Sequence, residues 1–251
     1  MAKQKGIIKL QGTIGDITFF KTADGYLARE HAPISAEQIA NNPAFQRTRE
    51  NNQEFGRAVK ASVLLRKALR PMLAGTKTGR LQALLTRDFM QVIKADSANL
   101  RGNRNVMDGE AELLQGFDLN KKTSLGSTLY APYQASINRV TGECLVALPT
   151  FVPEKFIVAP AGTTHFKLLA MATAVNFPAN DYIADSQETG MHTCDAVPVA
   201  AITMACTLPP ATSDPIFLTL GIQFYQLLNG NYYTLKDAGF NALQLVKIDS
   251  K

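Results

Sequence analysis

The residues of this chain best suited to chemistry are few and scattered. His31, His165 and His192 lie far apart, and no two histidines share metal-ligand spacing. Met191-His192-Thr193-Cys194-Asp195 sets an imidazole two residues from a thiol, which would supply two ligands to a zinc ion. A zinc site needs four, and no second pair exists, so the segment reads as a surface loop. Asp108, Glu110 and Glu112 are spaced i, i+2, i+4. On a helix Asp108 and Glu112 would share a face, as Mg²⁺ or acid–base chemistry requires. Near a helix start, however, carboxylates are more simply explained by the partial positive charge there. Gly12-Thr13-Ile14-Gly15 follows a strand-like run but lacks the Gly-Lys-Ser/Thr and helix of a phosphate loop, so its glycines read as turn formers. No Gly-x-Ser-x-Gly elbow or kinase signature is present. These residues assign no catalytic, cofactor or metal site, and the expectation is a protein that is not an enzyme.

Basic residues offer a different chemistry. Arg47, Arg49, Arg57, Lys60, Arg66, Lys67 and Arg70, continuing to Lys77 and Arg80, could follow a phosphate backbone. They spread around their helix and are interrupted by Glu50 and Glu54, so a solvated face is the competing reading. The charge of the whole chain is uneven. Residues 1–126 carry 20 Lys and Arg against 12 Asp and Glu, a net +8, while residues 127–251 carry 6 against 9, a net −3. Such a dipole suits nucleic-acid contact by the first half, and it equally suits head-to-tail association of copies.

The elements that must carry these residues fall into two kinds. Residues 6–30 read as short strands, with Ile8 and Leu10 alternating, a β-rich run at Ile17–Lys21, and Ala23-Asp24-Gly25 as a tight turn before a return strand at Tyr26–Arg29. Ser35 with Gln38 forms a capping-box pair for a short helix at 35–41. Asn42-Pro43 starts a longer one running to about Leu69, which Pro71, Gly75 and Gly79 end. A second helix is expected over Arg80–Ala95, then a loop at Asn99–Asn105 and a short helix over Glu110–Gln115 capped by Asp108. Beyond about residue 120 the grammar becomes β-like. Runs at 128–138, 143–148, 164–173, 197–207, 216–228, 232–235 and 242–248 are separated by Pro, Gly and Asn, with turns at Arg139–Gly142 and Asn229–Asn231. The expected class is α+β: an N-terminal β-meander and helical hairpin over 1–120, then an antiparallel β-sandwich, Ig-like or jelly-roll-like, over 121–251.

Cys144, Cys194 and Cys206 are too few for a disulfide framework and fit a reducing compartment, with one bridge and one free thiol as the alternative. No leader-like or membrane-spanning apolar run occurs, so a cytoplasmic protein without membrane insertion is expected, with release by lysis or a signal-independent route as an alternative.

The stretch Gly12–Ala58 resembles a group of Bacteroidota proteins, some encoded near phage-like or mobile regions. The resemblance rests on Gly12-Thr13-Ile14-Gly15, Phe19-Phe20, Gly25-Tyr26, Arg29, Pro33 and Pro43-Ala44-Phe45-Gln46-Arg47. The opening MAKQKGIIKLQGTIGDITFFK, NVMDGEAELLQGF and APAGTTHFK extend it along the chain. The resemblance implies membership and lends neither an activity nor catalytic residues.

The leading expectation is a structural protein that self-associates into an ordered oligomer or filament. The residues expected to mediate it are Lys5, Gly6, Ile7, Ile8, Lys9 and Leu10, read as an unpaired strand that adds to a neighbour's sheet. A nucleic-acid-binding or phage-related packaging protein using the basic helix is the alternative. A third reading is a sugar- or peptide-binding module with loops around His165, Asn180–Gln187 or Gly190–Asp195.

Overall fold

A computed structural model describes residues 2–23, 25–30, 34–74, 76, 78–235 and 238–250. Asp24 of the expected turn, together with His31, Pro33, Gly75 and Lys77, lies outside the described residues. The fold is α+β. Its contacts divide the chain into two compact units, Met1–Glu50 and Asn51–Lys251.

The first unit holds one antiparallel sheet. Its strands are β1 (Ala2–Lys3), β2 (Gly12–Ile14), β3 (Ile17–Thr22) and β4 (Gly25–Glu30), in the order β1-β4-β3-β2. Gly15 turns the chain between the paired residues Ile14 and Ile17 with φ +56°, a left-handed conformation that costs glycine nothing. The strand expected at Lys5–Leu10 is not there: these residues form an exposed loop. The Gln4 side chain explains why. Its Oε1 accepts from the Leu10 N–H at 2.9 Å, its Nε2 donates to the Leu27 carbonyl at 3.0 Å, and Lys9 Nζ donates to the Gln4 carbonyl at 2.7 Å. The chain therefore folds back on Gln4 instead of extending. Helix α1 (Ala36–Asn41) has the expected capping box. The Ser35 hydroxyl accepts from the Gln38 N–H, and the Gln38 carboxamide accepts from the Ser35 N–H. Asn42 Oδ1 accepts from the Ala44 N–H and opens a 3-10 turn at Pro43–Phe45, from which α2 (Gln46–Ala68) follows.

In the second unit, α2 is followed by α3 (Arg70–Leu73), which carries Pro71 in its first turn, and by α4 (Leu81–Lys94). The strands are β5 (Gln134–Asn138), β6 (Glu143–Leu148), β7 (His165–Asn176), β8 (Asp181–Glu188), β9 (His192–Thr193), β10 (Ile202–Thr207), β11 (Ile216–Leu228), β12 (Asn231–Thr234) and β13 (Ala242–Asp249). They make two antiparallel sheets. The smaller has the order β10-β6-β5; the larger is built on the long pair β7 and β11, with β8 and β9 beside β7 and β12 and β13 beside β11.

Strand periodicity of two divides the larger sheet's side chains between two cores. Phe166, Leu168, Ala170, Leu218, Leu220 and Ile222 share one apolar cluster with Val146, Leu148 and Met204 of the smaller sheet. Met171, Val175, Phe217, Leu243 and Leu245 share the other with Leu65, Leu85, Phe89 and Val92 of the helices. Burial on both faces accounts for the near-continuous apolar runs of β7 and β11. Each fully buried large side chain contributes roughly 1.5–3 kcal/mol. The helices expected to belong to a 1–120 region thus share a core with the C-terminal strands, and a division at 120/121 would run through that core.

Local signals set the hairpins. Gly142 closes the β5–β6 turn, its N–H donating to the Asn138 carbonyl at 2.8 Å with φ +78°; a Cβ there would stand 2.0 Å from the Leu208 carbonyl oxygen. Segment 180–187, expected as a loop, is largely strand β8, paired with β7 from Asn176↔Asp181 to Leu169↔Glu188. Its exposed polar residues hid it, because a solvated edge strand has no apolar alternation.

Candidate functional site

Two surfaces stand out, one in each unit. In the first unit, none of the described residues 2–50 is buried. Register assigns its side chains to faces. Phe19 pairs with Gly12 and Ala28, and Ile17 pairs with Ile14 and Glu30. Ile14, Ile17, Phe19 and Ala28 therefore share one face, with Tyr26 and Lys21, whose ammonium lies 5.6 Å from the tyrosine ring. Thr13, Thr18, Phe20, Leu27 and Arg29 share the other, where the Arg29 guanidinium lies 5.4 Å over the Phe20 ring. One face is thus predominantly apolar and the other threonine-rich and basic. Beside the sheet, Ile7 and Ile8 are 101% and 79% exposed. Residues Lys5, Gly6, Ile7, Ile8, Lys9 and Leu10 present side chains from a loop and offer no strand for pairing.

The basic residues of the long helix separate by task. Arg47 pairs with Glu50 at 3.4 Å. Arg49 donates to the Ile39 and Asn42 carbonyls at 2.7 and 2.9 Å, satisfying the end of α1. Arg57 donates to the Gly102 and Arg104 carbonyls, and buried Glu54, one turn away, accepts from the Gly102 N–H at 2.8 Å. These two residues hold the 101–105 loop. Lys60 lines a separate hollow with Val106, Met107, Asp108 and Phe177. Arg66, Lys67 and Arg70 remain: they line a groove of about 700 Å³ with Leu73, Thr78 and Gln82, and no Asp or Glu lines it. Lys67 Nζ also lies 5.9 Å from the Tyr182 ring. Helix geometry thus brings three of the seven predicted cations to one concave surface. Of the other four, Arg49 and Arg57 are held by carbonyl groups that the sequence pattern did not identify.

The scattered titratable groups serve structure. Asp108 Oδ2 accepts from the Asn99 and Asn105 carboxamides. It caps no helix, and only a 3-10 turn forms, at Ala111–Leu114. Glu112 accepts from the Ser250 N–H and hydroxyl. Asp96, not singled out by the sequence, is the hub of its loop. Its carboxylate accepts from the N–H groups of Ala98, Asn99 and Asn105 and from the Asn99 side chain. Burial alone would raise its pKa, but these donors outweigh it and hold the carboxyl below its ordinary value. Cys144 and Cys206 are buried and face each other across β6 and β10. Burial, then the neighbouring Cys206, pushes the Cys144 thiol up to about 11. Burial, then Asp195, raises Cys194, and burial lowers His192, whose ring lies 5.5 Å from that of Phe166. His165 sits edge-on to exposed Tyr232 at 4.9 Å. Among the described residues no three His, Cys, Asp or Glu side chains gather as a metal site would require. No helix among them is long and apolar enough to cross a membrane.

No family model matches the chain, and it matches no curated protein and no solved structure.

Proposed function

We propose that this chain is a structural subunit that associates with further copies of itself through the N-terminal sheet. The observation that carries this reading is the absence of any buried residue among the described residues 2–50, although Ile14, Ile17 and Phe19 are gathered on one face by the register. A sheet of this size is marginal in water unless its apolar face is covered. A second copy is the occupant we assign, for two reasons. The charge of the chain is polarised along its sequence, net +8 over residues 1–126 and −3 over 127–251, which supplies opposite charges for contact between copies. Strand β2 is also the last strand of its sheet, with its outer edge open to pairing. Surfaces of this kind, repeated head to tail, close a ring or extend a filament.

Light scattering of the purified chain tests the reading directly. Assemblies of many subunits are expected, dissociating to a folded monomer in the I14K/I17K double variant. A wild-type chain that scatters as a monomer at tens of micromolar would overturn the proposal, as would an I14K/I17K variant that assembles unchanged. Circular dichroism of the variant distinguishes lost association from lost folding.

A further inference from the structure

Arg66, Lys67 and Arg70 are exposed cations gathered on one groove, where Lys67 lies 5.9 Å from the Tyr182 ring. Burying or clustering like charges costs free energy, and proteins ordinarily offset it with nearby carboxylates. Here no described Asp or Glu lines the groove, and among the described residues none of the three side chains forms an ion pair. Their spacing along the end of α2 and the start of α3 turns all three toward the same concavity, whose remaining polar wall is Thr78 and Gln82.

The position of that wall adds a second electrostatic contribution. Thr78 and Gln82 straddle the start of α4, a 14-residue helix whose first turn receives no side-chain cap. Its leading N–H groups and the positive end of its dipole favour an anion nearby. The Gln82 Nε2 already donates to the Ser62 and Thr86 hydroxyls, which leaves the Thr78 hydroxyl and three cations around about 700 Å³ as donors complementary to phosphate oxygens.

From this we propose that the groove binds the phosphodiester backbone of nucleic acid, with Arg66, Lys67 and Arg70 as the contacting cations. A backbone is assigned in preference to an isolated phosphate because three exposed cations on successive helical segments present a line of contacts, not one enclosed pocket. Recognition of this kind is electrostatic and indifferent to base sequence. The site lies wholly within residues 51–251 and does not depend on the association proposed above.

The test is fluorescence anisotropy of a labelled duplex of mixed sequence titrated with the full chain. With three phosphates neutralised, affinity should fall roughly 40-fold between 50 and 200 mM salt. The R66E/K67E/R70E variant, whose altered side chains are all exposed, should fold normally by circular dichroism and lose binding at 50 mM salt. The K94E/K121E/K155E variant applies the same charge change at exposed positions elsewhere and should bind as wild type. Equal loss in both variants would overturn the assignment, because it would show a response to net charge alone. Undiminished binding by R66E/K67E/R70E would overturn it too. Polyglutamate that competes as well as unlabelled duplex would identify a general carboxylate-binding surface and refute the nucleic-acid ligand. Millimolar inorganic phosphate that displaces the duplex completely would refute the extended backbone in favour of a single-phosphate site.

Discussion

The described residues form two antiparallel sheets of four or more strands, and they solve the problem of apolar side chains in opposite ways. In β7 and β11 both faces are covered, by the smaller sheet on one side and by α2 and α4 on the other. In β3 the consecutive Phe19 and Phe20 point to opposite faces, and neither is buried. Composition does not separate β3 from β11, since both are rich in β-branched and aromatic residues. Cover separates them. One sheet is stabilised by cover on both faces within its own unit, whereas no described residue of the other is buried.

The strongest way to break this comparison is to delete equivalent side chains from each sheet. Phe217 stands edge-on to Phe177 with centroids 6.3 Å apart and is fully buried. Phe217→Ala should cost about 3–5 kcal/mol of unfolding free energy in urea titrations. Phe19→Ala should leave the unfolding of the second unit unchanged and act on association instead. Equal losses from the two substitutions would show that the N-terminal sheet is cored after all.

A smaller effect is expected at Gly142. An added Cβ meets the Leu208 carbonyl and the backbone holds a positive φ, so Gly142→Ala should destabilise by about 1–3 kcal/mol. Thermal unfolding measures this. The N-terminal turn glycine Gly15, with open space around its missing Cβ, should give a smaller shift with the same substitution.

Asp96 sharpens the comparison through pH. Its folded pKa lies below the ordinary carboxylate value of about 3.9, so its contribution is fully present above that value. The contribution is lost as pH falls through the lower, folded pKa. Asp96→Asn should reduce stability by about 2 kcal/mol at neutral pH and flatten the acid limb of the stability curve. Unchanged acid unfolding in the variant would remove Asp96 as the hub of its loop.

The smallest effect expected concerns the thiols. Cys144 and Cys206 are fully buried and the Cys144 thiol is raised to about 11, whereas Cys194 is partly exposed. Under native conditions at pH 8 a thiol reagent should modify Cys194 slowly and spare the other two until urea unfolds the second unit. Mass spectrometry reads the site of modification. Rapid loss of all three thiols would show that the second unit opens as readily as the first.

Much of the architecture was legible wherever the signal is local. Ser35 with Gln38, Asn42-Pro43, the apolar spacing of Leu81–Ile93 and the turns at Gly142 and Gly230 each involve residues within a few positions of one another. Two misreadings share one cause. Lys5–Leu10 has the alternation of a strand, yet the side chain of Gln4 and a carbonyl 23 residues away at Leu27 decide its path. Strand β8 lacks alternation, yet pairing with β7 makes it a strand. The groove was half legible: the sequence supplied Arg66, Lys67 and Arg70, but could not separate them from Arg49 and Arg57, whose carbonyl partners lie outside helical reach.

The sequence by itself determined the α+β class, the capped starts at Ser35 and Asn42, the turns at Gly142 and Gly230 and the polarised charge, because caps, turn conformations and composition act over a few residues or over none. Only the tertiary structure decided which sheet is covered on both faces and which is left bare. It also decided which cations are spent on carbonyl oxygens, because burial and hydrogen bonding depend on residues far apart in the chain that packing brings together.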